Sequence, residues 1–387
     1  MIYSIPYIIL LFFLLISATI TIQRKDNVLL CHRLNIIGIT AFFLFFAFRG
    51  YIWHDWMGYY PAFEKMEWED LFYYDYFKNR EPLWFVFNLT VKTLTNSYQA
   101  MVIIVSALQT WLLVRFFKKY SVNILLSLAI FLAYSGFELS INLMRNFTAT
   151  CIFLNAIPFI ETRKPLQYLG LCSIASLIHM SAFFYIPCYF ILNRRISKWI
   201  FISSIMFAYF MLFSGTPFLL KLVALLNIGG EIVERKIEVY SEYGMFGINK
   251  IDIIIKLFIC ILTFLYYEKI IKSNESNRLF INSLLLFILG SFLTSEFTEM
   301  SNRIGKLFVF SVWIICGLMT KIFYYKNNRL LYSAFLSLVL VYNVYYSTAE
   351  RLKEYQNFLL GNADSYNNRL ANFNKYFEEP KQIQQKK

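Results

Sequence analysis

The sequence predicts an all-α, polytopic integral membrane protein. Of its 387 residues, 58% are hydrophobic and 20% are aromatic, and the mean hydropathy is +0.51. A soluble domain does not tolerate so much apolar material on its surface. Apolar segments long enough for a helix to cross a bilayer core of about 30 Å recur along most of the chain. Basic clusters in the connections between these segments complete the pattern.

About twelve apolar segments have the composition of transmembrane helices. They lie near residues 3–22, 34–48, 99–117, 121–137, 141–160, 165–180, 182–193, 199–219, 251–271, 278–296, 303–322 and 328–347. The segments 165–180 and 182–193 are both short, and Pro187 interrupts the second, so one long helix is the alternative there. The first segment lacks a basic leader and a small-residue cleavage site, which favours a retained helix over a signal peptide.

Charge placement favours two segments over one in that region. When both are counted, six basic clusters fall on one face of the membrane, which the positive-inside rule assigns to the cytoplasm. They hold 17 of the 37 Lys and Arg residues, at Arg24/Lys25/Arg33, Arg115/Lys118/Lys119, Arg163/Lys164, Arg194/Arg195/Lys198, Lys269/Lys272/Arg278 and Lys321/Lys326/Arg329. Both termini then lie outside. The net charge of +13 is therefore a topology signal, and no nucleic-acid partner is expected.

The cysteines and histidines do not suggest a metal centre. The six cysteines have no CxxC spacing, and most lie inside apolar segments, as small buried side chains do. The three histidines show neither HxxxH nor HExxH spacing. We therefore expect no disulfide framework, no bound metal and no cofactor.

Residues 1–347 are expected to form one membrane domain, with long outer connections at 49–98 and 220–250. A polar C-terminal tail is expected at 348–387. Residues 82–97 have apolar side chains at helical spacing but are too polar to span. They predict an interfacial or re-entrant helix with Pro82 in its first turn. The second connection alternates charged and apolar residues and is expected to pack as a lid. The Asn- and Gln-rich tail predicts a loosely ordered appendage.

Charged residues at the outer ends of the predicted helices indicate one external polar site. Arg49, Arg145 and Arg303 each lie in or beside an apolar segment, and His179 stands two residues before Ser181 at a proposed outer turn. An ionisable group at membrane depth costs a few kcal/mol, so it normally faces a polar cavity. The alternative for each arginine is an anchor at the membrane surface, and for the histidine a hydrogen-bonded packing residue.

The stretch 48–66 adds aromatic and acidic side chains to this site. Tyr59 and Tyr60 are candidates to stack on sugar rings, although aromatic residues are also usual at a membrane interface. Asp55 follows Arg49 by six residues and lies nearer the membrane than the other acidic residues of the connection. It is therefore less readily explained as part of a solvated face than those other acidic residues.

Three stretches resemble the EpsG family of bacterial polysaccharide proteins, which is related in role to Wzy polymerases. They are FRGYIWHDWMGYYPAFEKM, REPLWFVFNLTVKTL and LMRNFTATCIFLNAIPFIETRKPLQYLGLCSIASLIHMSAFFYIPCYFIL. The charged positions, the Glu-Pro pair and the ASLIHMSA turn occur in the family's order across residues 45–193. Between the arginine and the aspartate, GYIWH replaces the small, glycine-bearing residues usual in the family.

The resemblance implies a metal-independent glycosyltransferase that polymerises undecaprenyl-diphosphate-linked oligosaccharide repeat units for O-antigen, capsule or exopolysaccharide. It implies a multi-pass protein of the bacterial inner membrane, acting at the outer leaflet among membrane lipids. A flippase and a chain-length regulator of the same pathway are the implied partners. The three arginines would bind the lipid diphosphate, because a guanidinium donates two parallel hydrogen bonds and keeps its charge.

The same reaction needs a base for the acceptor hydroxyl. Asp55, Glu81, Glu299 and His179 are the candidates, and the sequence does not rank them. Glu299 is also expected to contact substrate, together with Tyr59 and Tyr60.

Three other classes of protein are alternatives. A transporter or flippase of lipid-linked sugars also has many helices and buried arginines, but no internal repeat is visible, and the charges gather at the outer surface rather than at the midplane. A membrane O-acyltransferase would use His179 as its base, but no second motif supports it. A non-catalytic assembly scaffold is the third alternative.

Overall fold

The computed structural model describes residues 2–73, 81–215, 221, 225 and 249–385. Within those ranges the secondary structure is helical, apart from one isolated antiparallel bridge between Arg49 and Asn357. The all-α prediction is confirmed for this part of the chain. The connection 220–250, predicted to form a lid, lies almost wholly outside the described residues.

The chain forms two compact units. The first comprises Met1–Phe159, Pro165–Ile186 and Phe335–Lys387, and the second comprises Ile160–Lys164 and Pro187–Ala334. The first unit thus joins segments that are distant in the sequence.

The helices of the first unit are, in chain order, α1 (Ile5–Gln23), α2 (Val28–Ala47), α3 (Trp56–Lys65), α4 (Pro82–Thr95), α5 (Tyr98–Tyr120), α6 (Ile124–Ile141), most of α7 (Met144–Glu161), and α8 (Pro165–Ile178). A 3-10 turn at Met180–Tyr185 follows α8. Inside α6, a π-helical turn at Leu132–Gly136 interrupts the regular ladder. A Cβ at Gly136 would lie 2.3 Å from the Phe131 carbonyl oxygen, so this turn requires glycine.

The second unit is built around one buried helix. Its helices are α9 (Cys188–Ile191), α10 (Lys198–Ser214), α11 (Lys250–Leu265), α12 (Tyr267–Ser273), α13 (Asn277–Leu293), α14 (Thr298–Phe308) and α15 (Phe310–Ile322), and α16 (Lys326–Thr348) continues into the first unit. The helix α13 packs against α10, α12, α14 and α15. Phe280, Ile281 and Ile288 on α13 are fully buried, so this helix forms the core of the unit.

Among the described residues, five helices are long and apolar enough to cross a membrane, namely Ile2–Gln23, Val28–Ala47, Tyr98–Tyr120, Ile124–Ile141 and Lys326–Thr348. The pair Ser301–Phe308 and Phe310–Ile322, bent by 49°, makes six if it is one span. The predicted number of about twelve is not confirmed. Apolar segments such as Pro165–Ile178 and Asn277–Leu293 do form helices, but they have 17 residues or fewer, against the roughly 20 that a span needs.

The polar helix predicted at 82–97 is observed as α4. It begins at Pro82, whose fixed φ and missing N–H suit a first helical position, and it ends at Thr95, followed by the C-cap residue Asn96 with φ 46°. Its interfacial depth stays a prediction. Phe63 on α3, Val91 on α4 and Met101 on α5 belong to one buried apolar cluster. This cluster fixes α3 and α4 against α5 and so positions the polar residues at their ends.

The C-terminal segment is folded onto the first unit, which corrects the loosely ordered tail expected at 348–387. The Gly50 amide donates to the Gln356 carbonyl oxygen at 2.8 Å, and the Phe358 amide donates to the Phe48 carbonyl oxygen at 2.8 Å. These bonds flank the Arg49–Asn357 bridge. The segment therefore adds a short extended pairing to the chain that follows α2.

A last helix, α17 (Tyr366–Gln385), follows this pairing. The ring of Tyr366 stacks on Tyr60 of α3, with 4.3 Å between ring centroids. Arg369 donates from Nε to the Tyr51 carbonyl oxygen at 3.0 Å. The average composition of the tail does not predict these contacts. A few aromatic and basic side chains make them, whereas Asn and Gln dominate the composition.

Candidate active site

A carboxylate, a guanidinium and an imidazole meet in the first unit. Arg145 donates from Nη1 to Glu81 Oε2, and His179 Nε2 lies 3.6 Å from Glu81 Oε1. The exposed fractions of the three side chains are 13% for Glu81, 26% for His179 and 39% for Arg145. The carboxylate is thus the inner member of the group, and the arginine is the one most open to an incoming molecule.

Helix ends bring these three residues together. Glu81 is the N-cap residue of α4, Arg145 is the second residue of α7, and His179 directly follows α8. The helices α4 and α8 pack against each other. The Met180 amide, at the start of the 3-10 turn, also donates to the Glu81 carboxylate. Residues almost one hundred positions apart therefore share one polar cluster.

The hydrogen bonds of His179 fix the tautomer of its neutral ring. The Ser181 amide donates to Nδ1 at 3.2 Å, and the Ser181 hydroxyl lies 2.7 Å from the same nitrogen. Asn146 Nδ2 donates to that hydroxyl at 2.8 Å, which leaves the hydroxyl proton to point at Nδ1. Because Nδ1 accepts both bonds, the ring proton of neutral His179 is on Nε2, where it faces Glu81.

Tyr59 completes the surroundings of Arg145. Arg145 Nε donates a hydrogen bond to the Tyr59 hydroxyl oxygen at 3.4 Å. The guanidinium carbon lies 5.3 Å from the centroid of the tyrosine ring. The planar guanidinium is therefore held between a carboxylate and an aromatic ring, which restricts its orientation. The described hydrogen bonds of Arg145 use Nε and Nη1, so Nη2 is the donor through which it can bind a further anion.

Burial shifts the acid–base properties of this group. It raises the pKa of Glu81 above its ordinary value, and the Arg145 guanidinium opposes that shift. Burial likewise raises the pKa of the Tyr59 hydroxyl, again against the effect of Arg145. Tyr59 is therefore neutral at neutral pH and acts as a hydrogen-bonding group.

Asp55 lies close to this cluster, at the N-terminus of α3. Its backbone amide and that of His54 both donate to Asn142 Oδ1, at 2.9 Å and 3.2 Å. The Tyr59 amide, one turn further along α3, donates to the Asp55 carbonyl oxygen at 2.9 Å. Asn142 follows α6, so the end of that helix holds the loop that carries Asp55.

Arg49 has a different environment from Arg145. Arg49 is buried, with 4% of its surface exposed. Its guanidinium donates hydrogen bonds to the Phe46 carbonyl oxygen, to Ser106 Oγ at 3.2 Å and to Met144 Sδ at 2.8 Å. Burial lowers the pKa of Arg49 to about 10, which leaves it charged at neutral pH. Arg49 thus holds the residue that precedes Arg145, and its predicted contact with a diphosphate stays a prediction.

Tyr60, Arg303 and Glu299 are the other predicted substrate-binding residues. Tyr60 stacks on Tyr366 and contacts Tyr51 edge-on. Arg303 is an exposed residue of α14 in the second unit. The side chain of Glu299, also on α14, lies outside the described residues.

Sequence reasoning missed the supporting residues of the cluster. Asn142 and Asn146 flank Arg145, and Asn146 orients Ser181. Their signal in the sequence is the polar run of INLMRN inside apolar surroundings. Among the residues that the structure describes, no three His, Cys, Asp or Glu side chains are arranged as metal ligands.

The apolar helices and this arginine-centred cluster define a helical integral membrane protein with a polar site that suits an anionic substrate. The sequence model of the EpsG family matches residues 32–358, which is most of the chain, and the protein therefore belongs to the EpsG family. Proteins of this family are Wzy-type polymerases. The match extends the resemblance at 45–193 in both directions. Neither a curated protein nor a solved structure matches the chain.

Proposed function

We propose that this protein is a polymerase of lipid-linked oligosaccharide repeat units, with undecaprenyl diphosphate as the carrier and leaving group. The observation that carries the proposal is the state of Arg145, a partly exposed guanidinium that is held by Glu81 and Tyr59 and keeps Nη2 for a further partner. Family membership supports the reaction class.

In the proposed reaction, a hydroxyl of the acceptor unit attacks the anomeric carbon of the growing glycan. The bond from that carbon to the diphosphate oxygen breaks, a new glycosidic bond forms, and the lipid diphosphate leaves with the bonding electron pair. Arg145 stabilises the negative charge that develops on the leaving group, because its charge and donors are already oriented. A bidentate guanidinium is well matched to phosphate oxygens.

His179 is assigned to the diphosphate as a hydrogen-bond donor. Its neutral ring carries the proton on Nε2, and service as a base at that nitrogen would require the opposite tautomer and the loss of both bonds from Ser181. Glu81 is proposed to position both the Arg145 guanidinium and the His179 ring. This leaves Asp55 as the preferred base for the acceptor hydroxyl and Glu81 as its competitor.

The wider setting is part of the same proposal. The enzyme acts without a metal, at the outer leaflet of the bacterial inner membrane, in the synthesis of O-antigen, capsule or exopolysaccharide. It receives flipped lipid-linked units and works beside a chain-length regulator. Tyr59, beside Arg145, is proposed to stack on a sugar next to the diphosphate, and Tyr60, Arg303 and Glu299 are proposed as further substrate-binding residues. Arg49, predicted from the sequence to bind the diphosphate, is proposed to support Arg145 through Met144.

Extension of lipid-linked oligosaccharide by the purified protein alone tests this function. The assay follows glycan length and released undecaprenyl diphosphate, with a chelator present to test metal independence. We expect a ladder of products from the native protein, a strong loss in Arg145→Lys, and no loss in the remote substitution Arg24→Lys. Movement of unextended lipid-linked units between leaflets, without any product ladder, would instead identify a flippase.

A further inference from the structure

A basic cavity lies in the second unit, away from the Glu81 cluster. It has a volume of about 760 Å³, and the charged residues of its lining are Arg163, Arg194, Arg195, Arg278, Glu161 and Glu275. Four arginines against two glutamates make its lining positive. All of these residues belong to the same compact unit. The proposed polymerase reaction does not use them.

The loop that carries two of the arginines is fixed from two sides. Asn282 of α13 donates from Nδ2 to the carbonyl oxygens of Leu192 and Arg194, at 2.7 Å and 2.8 Å. The Tyr267 hydroxyl donates to the Ile196 carbonyl oxygen at 2.6 Å. Asn282 is buried, so these are well-shielded bonds. The arginine pair is therefore presented by a rigid loop, which lowers the entropy lost when a ligand binds.

Arg278 and Glu275 form another part of the lining. Arg278 is in the first turn of α13, with a side chain 12% exposed, and Glu275 lies 3.2 Å from its Nη2. Glu275 is also 4.0 Å from Arg195 Nη2. One carboxylate thus offsets part of the charge of two arginines. The first turn of α13 borders the cavity at Ser276 and Arg278.

We infer that this cavity binds a phosphate group, and that an anionic phospholipid headgroup is its preferred source. Guanidinium groups recognise phosphate through paired hydrogen bonds. The cavity lies where α7 ends and α13 begins, on the face that the basic clusters assign to the cytoplasm, where anionic headgroups concentrate. Phe190 and Ile191 beside it are 67% and 42% exposed, so they can contact acyl chains.

The test compares three probes on delipidated, detergent-purified protein: dioleoyl phosphatidylglycerol, dioleoyl phosphatidylcholine and inorganic phosphate. The readout is the thermal unfolding midpoint at increasing probe concentration, because a ligand that binds the native state raises it. We expect a saturable rise with phosphatidylglycerol. Arg194→Gln/Arg195→Gln should weaken the apparent affinity by about tenfold or more, because two charged donors are lost.

The matched control is Lys269→Gln/Lys272→Gln, which removes two exposed charges on the same predicted face but outside the cavity. It should keep the native response. An equal loss in both double variants would show attraction to diffuse surface charge and overturn the site. A saturable response to inorganic phosphate alone would support the phosphate site and assign it to a soluble ligand. A midpoint that does not change with any of the three probes would also overturn the proposed site. The outcome is independent of polymerase activity.

Discussion

Arg49 donates a hydrogen bond from Nη2 to Met144 Sδ at 2.8 Å, and Met144 directly precedes Arg145 in the chain. One arginine of the sequence motif is therefore buried and holds the other, which is partly exposed. Both side chains are guanidinium groups. Because their surroundings differ, we expect substitution of Arg49 to affect stability and substitution of Arg145 to affect activity.

Arg49→Met is expected to lower stability. The change leaves the Phe46 carbonyl and Ser106 without their buried donor, and each such loss costs about 1–3 kcal/mol. The unfolding midpoint of the purified protein measures the effect. Ser106→Ala, which removes only one acceptor, should have a smaller effect. A native-like midpoint in an inactive Arg49→Met protein would instead favour a direct role with substrate.

Arg145→Lys is expected to lose most chain extension while folding is retained. Lysine keeps the charge but cannot bind Glu81 and a phosphate through one planar fork. Initial rates with lipid-linked oligosaccharide measure the loss, and the unfolding midpoint shows whether the protein remains folded. If the lysine variant extends chains at the native rate, Arg145 serves only as an anchor.

Glu81→Gln is expected to alter the pH dependence of the enzyme. Burial raises the pKa of Glu81. Protonation of the carboxylate therefore removes its ion pair with Arg145 at a pH above the ordinary glutamate pKa of about 4.3. Native activity should therefore fall on the acidic side through this raised pKa. Glutamine cannot titrate, so the variant should have a low rate without that acidic limb. Glu81→Asp, which still titrates, is the control.

Stability should change with pH in the opposite sense from activity. A carboxyl group whose folded pKa is raised favours the protonated state, so its contribution is present at low pH and is lost as pH rises through that pKa. Glutamine resembles the protonated acid. The midpoint of Glu81→Gln relative to native protein should therefore be highest near neutral pH and decline on acidification. A constant difference across the range would contradict the raised pKa.

His179→Gln is expected to retain much of the rate. Glutamine can still donate a hydrogen bond, which is the role assigned to His179 Nε2, but it cannot accept and carry a proton. Rates against pH for this variant and for Asp55→Asn separate the candidate bases. A loss of about 100-fold or more, together with loss of an acidic limb near pH 6 to 7, would make His179 the base. A near-normal Asp55→Asn enzyme would remove Asp55 from that role.

Truncation after residue 349 is expected to destabilise the first unit. It removes the partner of the Gly50 amide and the Tyr366 ring that stacks on Tyr60. Thermal unfolding and proteolysis of the chain near Gly50 measure the effect. Truncation after residue 376, which keeps both contacts, should leave the midpoint almost unchanged. Equal midpoints for the two truncated proteins would mean that these contacts add little to stability.

The sequence by itself determined the helical class, the membrane character and several local features. Apolar composition and segment length indicate membrane helices because they reflect transfer free energy, which is a property of each segment. Pro82 marks the start of α4 for an equally local reason, since its fixed backbone suits a first helical position. Arg145 and His179 are recognisable in the sequence as ionisable residues beside apolar segments, and Glu81 as a candidate base that precedes Pro82.

Tertiary structure decided which of these residues meet and what each one does. Glu81 joins Arg145 and His179 only because α4 and α8 pack together. Arg49 is buried where its side chain bonds Ser106 and Met144 of two other helices, and its backbone pairs with Asn357, more than 300 positions later. Apolar length also did not decide the number of spans, because helix ends depend on packing and capping. Such contacts are long-range, and no local pattern encodes their partners.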